Sequence, residues 1–402
     1  MHPAHLDWPF LEDRHRELSA SVTAWLAKRA QDGPGAGTAV SADATAVDTT
    51  CRDWVRQLGA AGFLKYCVPA AWGGALATVE SRSLCVLREA LAAHDALADF
   101  AFAMQGLGSG AITLGGSDAL RAEWLPRVAR GDAIAAFALS EPEAGSDAAA
   151  LQTTAIQATG GWRIDGSKTW ISNGGIADFY CVFARSNLAA PGAKGISAFL
   201  VPADAPGLAV SERIGVMSPH PLATLQFNGC VVPDECLLGA EGEGFTLAMR
   251  TLDVYRVSVA AAATGFARRA LREALNHAAR RAMFGATLGA QPLAQAMLGD
   301  MATEVDAAAL LTYRAAWHRD TQPGRVTGVA AMAKLGATEL AQQVIDRALQ
   351  LHGARGVRVG EVIERLYRDI RALRIYEGAT EVQRMLVGRE MLKAMKDART
   401  TP

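Results

Sequence analysis

The sequence predicts an α+β protein in three consecutive parts. These are an N-terminal helical domain over residues 1–131, a middle β-sheet domain of barrel- or sandwich-like type over 132–244, and a C-terminal four-helix bundle over 245–402. Three observations carry this. Up to about Gly131 the chain shows no strand alternation and is rich in Ala, Leu, Arg and Glu. From Asp132, short β-branched and aromatic runs follow one another between turns. After Gly244, apolar residues return at spacings of three and four. With 402 residues, half of them hydrophobic, the chain can bury a large core.

Taken in order, residues 80–93 and 119–128 carry helical periodicity. Residues 31–50, rich in Gly, Ala, Thr and Asp, read as a mobile connection between helices. Strands are expected at 134–139, 162–164, 168–171, 180–184, 196–201 and 222–227, with Asp165-Gly166 as a hairpin turn. Ala294, Met301, Val305 and Ala308 mark a long helix, which Gln322-Pro323-Gly324 interrupts. Further helices run through Leu351 and from about Val359 to the end, and such helices pack as a bundle.

A formal net charge of -1, a pI near 6.7 and the lack of any basic block exclude electrostatic binding of nucleic acid. The six cysteines have no Cys-x-x-Cys spacing and no neighbouring histidines, so they read as buried thiols, with no disulfide frame and no metal site. No stretch approaches the ~18 apolar residues of a membrane span, and no signal or transit pattern opens the chain, so a cytoplasmic protein without membrane contact is expected.

Two phosphate-loop look-alikes fail on detail. In the segment from Gly161 to Thr169, Ser167 stands where a nucleotide P-loop needs its lysine. Gly106-x-Gly108-x-Gly110 lacks the third glycine of the dinucleotide fingerprint and follows a helical stretch.

The most informative segment is Leu373-Arg374-Ile375-Tyr376-Glu377-Gly378-Ala379-Thr380-Glu381. It sets the Glu377 carboxylate beside a glycine and among apolar residues. A carboxylate deprived of water has a raised pKa and becomes a stronger base near neutral pH. The alternative is an exposed acid favoured by the dipole of the following helix.

Other segments accompany it: Phe137-Ala138-Leu139-Ser140-Glu141-Pro142-Glu143-Ala144-Gly145-Ser146-Asp147, Lys168-Thr169-Trp170-Ile171-Ser172-Asn173-Gly174, and Arg280-Arg281-Ala282-Met283-Phe284-Gly285. Their order and spacing, from about Leu11 to Lys393, resemble the acyl-CoA dehydrogenase family and its fold. The resemblance implies FAD as cofactor and α,β-dehydrogenation of an acyl-CoA thioester to the trans-2-enoyl-CoA. Glu377 would take the α-proton and the flavin the β-hydride. It further implies that Phe137, Leu139, Ser140, Gly145 and Ser146 line FAD, that Trp170 stacks by the ring, and that Ser172 donates to it. Trp170 as an ordinary sheet-core aromatic is the competing reading. Arg281, Phe284, Gln350 and Gly353 would reach a neighbouring subunit's FAD in a homotetramer, with Glu381 also at the cofactor. Ser146, Asp253, Arg256, Tyr376 and Gly378 would meet the substrate. An electron-transferring flavoprotein is the implied electron acceptor.

The family's usual Thr is Ser at 140 and 172, which keeps the hydroxyl. Pro292, Ala354 and Ala379 also depart from its pattern and put individual dinucleotide contacts in doubt. Other readings on the same fold are an acyl-CoA oxidase, a flavin monooxygenase, which would not need Glu377, and a non-catalytic flavin-containing binding protein. Phe100 and Phe102, where the family's pocket floor is usually set, would shorten an acyl pocket if they point into it, which implies a short, branched or cyclic acyl group; as core residues facing elsewhere they would not.

Overall fold

A computed structural model of the chain describes residues 4–32, 43–324 and 326–400. Helices come first: α1 (Asp13–Asp32), α2 (Ala44–Ala60), α3 (Ser81–His94), α4 (Ala96–Gly115) and α5 (Asp118–Arg130). Strands follow: β1 (Ala135–Ala138), β2 (Thr154–Ala158), β3 (Gly161–Ser172), β4 (Phe179–Arg185), β5 (Ile196–Pro202), β6 (Leu208–Arg213), β7 (Leu222–Val232) and β8 (Leu237–Leu238). The rest is helical, with α6 (Gly244–Arg280), α7 (Pro292–Thr321), α8 (Thr327–His352), α9 (Val362–Leu373) and α10 (Thr380–Thr400), except for a short hairpin of β9 (Ala282–Met283) and β10 (Ala286–Thr287). Part of the connection expected over 31–50 is helical. Asp43 accepts the Thr45 N–H at 3.1 Å and starts α2, whose Val47, Cys51, Trp54 and Leu58 are buried. Residues 33–42 of that expectation lie outside the described residues.

The chain forms two compact units. One comprises the described residues of Met1–Ala39, Ser81–Asp99 and Arg256–Pro402. In it α8 packs against α7, α9 and α10, and α3 packs against α1 and α7. Alanines such as Ala308, Ala315, Ala330 and Ala341 line the buried faces of α7 and α8, and small side chains let helix axes approach closely. Polar groups buried among them are matched. Glu89 accepts from Tyr313 Oη (2.7 Å) and Arg268 Nε (2.6 Å), and Asp320 accepts from the backbone N–H groups of Ser81 and Arg82, which cap α3.

The other unit comprises the described residues of Val40–Glu80 and Phe100–Tyr255. Its sheet runs β6-β7-β3-β2-β4-β5-β8, with β1 also beside β4. All pairs are antiparallel except β1 and β2 on β4. Nearly every side chain of β4 and β5 is buried, which gives them continuous apolar sequences.

Asp165-Gly166 is not a hairpin turn. β3 runs unbroken through it, and the pair forms a bulge opposite β7. Gly166 has φ of 144°, and a Cβ there would lie 2.6 Å from Thr153 Oγ1. Its glycine therefore serves close approach within the sheet. The turn lies at Thr159-Gly160, between Ala158 and its partner Gly161. The Gly106-x-Gly108-x-Gly110 run is likewise a packing device. Cβ atoms there would strike Tyr255, Ala135 and Thr251 respectively.

Candidate active site

Glu377 sits in the turn between α9 and α10, with φ of 51°, followed by Gly378 at 94°. Four non-glycine residues among those described have positive φ: Trp170, Asn173, Phe284 and Glu377. Such backbone is disfavoured for L-residues and persists only where surroundings hold it. Three of the four are residues singled out above from sequence.

The turn is held on several sides. Thr380 N–H donates to the Arg374 carbonyl (3.0 Å), and Arg374 Nε and Thr380 Oγ1 both donate to Glu339 Oε1 on α8 (2.9 and 2.7 Å). Lys334 Nζ and Gln383 Nε2 both donate to the Gly378 carbonyl (2.7 and 3.0 Å). Glu377 Oε2 is buried and has no hydrogen-bond partner. Burial pushes the Glu377 carboxyl above its ordinary value, and the positive charges of Arg88, Lys334 and Arg256 oppose that rise without cancelling it. Arg88 is itself buried, fixed by two hydrogen bonds to Asp99 (2.8 and 2.7 Å) and one to Ser258 Oγ (3.0 Å). The arrangement is an unpartnered carboxylate oxygen with raised basicity, ringed by immobilised cations. It can take a proton from a weak carbon acid.

In the sheet-bearing unit a second constellation forms. A bulge in β3 between Lys168 and Ile171 turns Trp170 outward, where it is 59% exposed. It is therefore no core aromatic. Ser172, two residues on, is half-buried. The Ser140 carbonyl accepts the Thr169 N–H at 3.0 Å, so the loop after β1 lies along β3. Leu139 is buried, Phe137 packs on Phe183 with centroids 4.8 Å apart, and Gly145 and Ser146 are exposed. Nothing lies within 4 Å of a Cβ built on Gly145. An exposed indole, two serine hydroxyls and an open glycine loop fit the flat ring and polar edge of a flavin.

A cavity of about 370 Å³ in the helical unit is lined by Arg280, Arg281, Arg355, His277 and His352, among others. The two imidazoles stack with centroids 4.4 Å apart. Burial and the charges of His352, Arg355 and Arg281 push His277 below its ordinary value. Guanidinium groups gathered this way suit a diphosphate. Beside them, Phe284 stands at the tip of the β9–β10 hairpin, 89% exposed. Gln350 and Gly353 are exposed at the end of α8, and Glu381 is exposed in the first turn of α10.

Among the residues expected at substrate, Arg256 is buried and Asp253 half-buried on α6, while Tyr376 is 36% exposed and Gly378 half-buried. Phe102 is fully buried, and Phe100 packs on His220 at 4.4 Å. Sequence reasoning missed Lys334, Arg88 and Glu339. The signal for Lys334 was present, because it is a lysine at helical spacing between Ala330 and Ala337 on an otherwise apolar face.

Comparison with known proteins shows the family. Residues 12–132, 136–230 and 242–392 match the N-terminal, middle and C-terminal domains of acyl-CoA dehydrogenases. The chain belongs to the acyl-CoA dehydrogenase family, and it has that family's fold of helical, β-sheet and helical parts. It is an FAD-dependent oxidoreductase acting on acyl-CoA. It is 34% identical to a probable acyl-CoA dehydrogenase of Mycobacterium leprae, over 95% of this chain and 96% of the relative. The butyryl-CoA dehydrogenase of Megasphaera elsdenii superposes with a TM-score of 0.85 at 30% identity, covering 95% and 99% of the two chains. A glutaryl-CoA dehydrogenase of Mycobacterium smegmatis, in complex with FADH2, gives 0.84 at 26% identity, covering 95% of each. Among the described residues no helix is long and apolar enough to cross a membrane.

Proposed function

We propose that the protein dehydrogenates a short-chain acyl-CoA thioester to the trans-2-enoyl-CoA, with Glu377 as the base that removes the α-proton. The observation carrying this is the buried, unpartnered Glu377 Oε2 in a turn held left-handed, with its basicity raised by burial. FAD, when bound, supplies the hydride acceptor. The backbone N–H of Glu377 donates to the thioester carbonyl and so acidifies the α-carbon. Asp253, Arg256, Tyr376, Gly378 and Ser146 hold the substrate. Phe137, Leu139, Ser140, Gly145, Ser146, Trp170 and Ser172 hold the flavin, with Ser172 donating to its ring and Glu381 at the dinucleotide. Arg281, Phe284, Gln350 and Gly353 complete a neighbouring subunit's cofactor site in a homotetramer. An electron-transferring flavoprotein reoxidises the enzyme in the cytoplasm. The short chain is supported by the likeness to a butyryl-CoA dehydrogenase.

The test is anaerobic bleaching of the flavin by a panel of saturated acyl-CoAs, with Glu377→Gln, Glu381→Gln and Asp253→Asn alongside the parent. Loss of a general base costs about 10²–10⁴ in rate. Glu377→Gln should bind FAD and butyryl-CoA yet bleach slower by at least that factor. Bleaching by Glu377→Gln at the parent rate overturns the base assignment, and a preference for chains beyond about eight carbons overturns the short pocket.

A further inference from the structure

We infer that Lys334 is a positioning residue for the proton-abstracting carboxylate: its ammonium clamps the carbonyl of Gly378 and presents a fixed positive charge to Glu377. The inference rests on Glu377 being the base. Lys334 lies on α8 within a stripe of buried alanines and is itself 0% exposed. Removing an ammonium from water is costly unless charge and hydrogen bonds compensate it. Its hydrogen bond does not go to a carboxylate. Nζ donates at 2.7 Å to a backbone carbonyl, that of the residue directly after Glu377. That carbonyl is also the acceptor for Gln383 Nε2, so α8 and α10 both grip one peptide of the turn. The peptide gripped joins Gly378 to Ala379 and directly follows two successive left-handed residues, Glu377 and Gly378, whose backbone would gain by relaxing.

The charge has a second consequence. The groups facing Glu377 are Arg88 on α3, Asp99 on α4, Arg256 on α6 and Lys334 on α8. Glu339 and Arg374 act on Lys334 in turn, and Tyr376 precedes the base. The three cations offset burial and keep the carboxyl ionisable at working pH. Burial, opposed by Glu377, pushes Lys334 itself down to about 8. The clamp therefore loses its charge in mildly alkaline solution, while the guanidinium groups keep theirs.

The experiment compares the FAD-loaded parent with Lys334→Gln, Lys334→Met, Lys334→Arg and Glu377→Gln. It measures butyryl-CoA affinity and the anaerobic bleaching rate across pH. Lys334→Gln keeps a donor for the carbonyl and loses the charge. Its acid limb should move to higher pH, because Glu377 loses a neighbouring cation. Lys334→Met loses both, and misplacement of a reacting group by about 1 Å costs on the order of 10² in rate. Its limiting rate should fall by about that factor with substrate affinity little changed. Lys334→Arg should restore the position of the acid limb and abolish any inflexion near pH 8. Acid limbs of Lys334→Gln and Lys334→Met that coincide with the parent's overturn the inference, even if the variants are less stable. If Lys334→Met does not fold, Lys334→Gln decides alone. Full bleaching by Glu377→Gln would instead sink the base assignment, so the two failures are separable.

Discussion

Lys168 Nζ lies 2.7 Å from Glu141 Oε1, with both side chains buried, and donates to the Leu139 carbonyl at 3.0 Å. Glu141 in turn accepts the backbone N–H groups of Gln152 (2.6 Å) and Thr153 (3.0 Å). One ion pair thus ties the loop bearing Ser140, Gly145 and Ser146 to the strand bearing Trp170 and Ser172.

Breaking a buried pair on one side strands the other charge and costs about 3–5 kcal/mol. Lys168→Met should lose stability of that order in urea titration and release FAD more readily. Burial alone would raise the Glu141 carboxyl, yet Lys168 and the hydrogen bonds from Gln152 and Thr153 outweigh it and hold the group below 4.5. Because the folded pKa is depressed, the pair's stabilisation is present above 4.5 and lost as pH falls through the folded value. Parent and Lys168→Met should therefore converge in acid.

Glu377 has the opposite sign. Its folded pKa lies above 4.5, so between those values the folded chain holds a proton that the unfolded chain has released. Stability falls as pH rises through that window. Glu377→Gln never ionises. It should melt above the parent at neutral pH, with the gain fading below 4.5, while bleaching is lost. A variant less stable than the parent at neutral pH would contradict this.

Arg281→Lys keeps a charge and loses the planar fork that pairs with phosphate. Hydrogen bonds to charged groups contribute about 1.5–3 kcal/mol. FAD should bind roughly 10–100-fold more weakly by fluorescence titration. Phe284→Gly relieves a side chain held at φ of 49° and 89% exposed. Subunit stability should not fall; if the exposed ring completes a neighbouring subunit's cofactor site as proposed, FAD retention on dilution should.

Gly108 and Gly145 separate packing from binding. A Cβ on Gly108 would lie 2.6 Å from Ala135 Cβ, so Gly108→Ala should destabilise by about 1–3 kcal/mol. Gly145→Ala meets nothing within 4 Å. The stability of its FAD-free form should stay within about 0.5 kcal/mol of the parent, while FAD affinity falls if the loop lines the cofactor.

Periodicity and punctuation in the sequence determined the alternation of helices, strands and helices and the break at Gln322-Pro323-Gly324, while motif resemblance picked out the segments that bear Glu377, Trp170 and Arg281. These are local matters, set by spacing and residue type over a few turns. Other features were decided only by the tertiary structure. Asp165-Gly166 has turn chemistry, yet Thr153 packed against Gly166 makes it a bulge in a continuous strand. Asp43 starts a helix in a stretch whose composition reads as a loop, because an apolar face beyond it is buried. Glu377 was visible as a carboxylate beside a glycine, but its burial and its ring of cations come from Arg88, Arg256 and Lys334, brought together from helices far apart in the chain. Electrostatic environment acts through space at a few ångströms, and sequence distance carries no record of it.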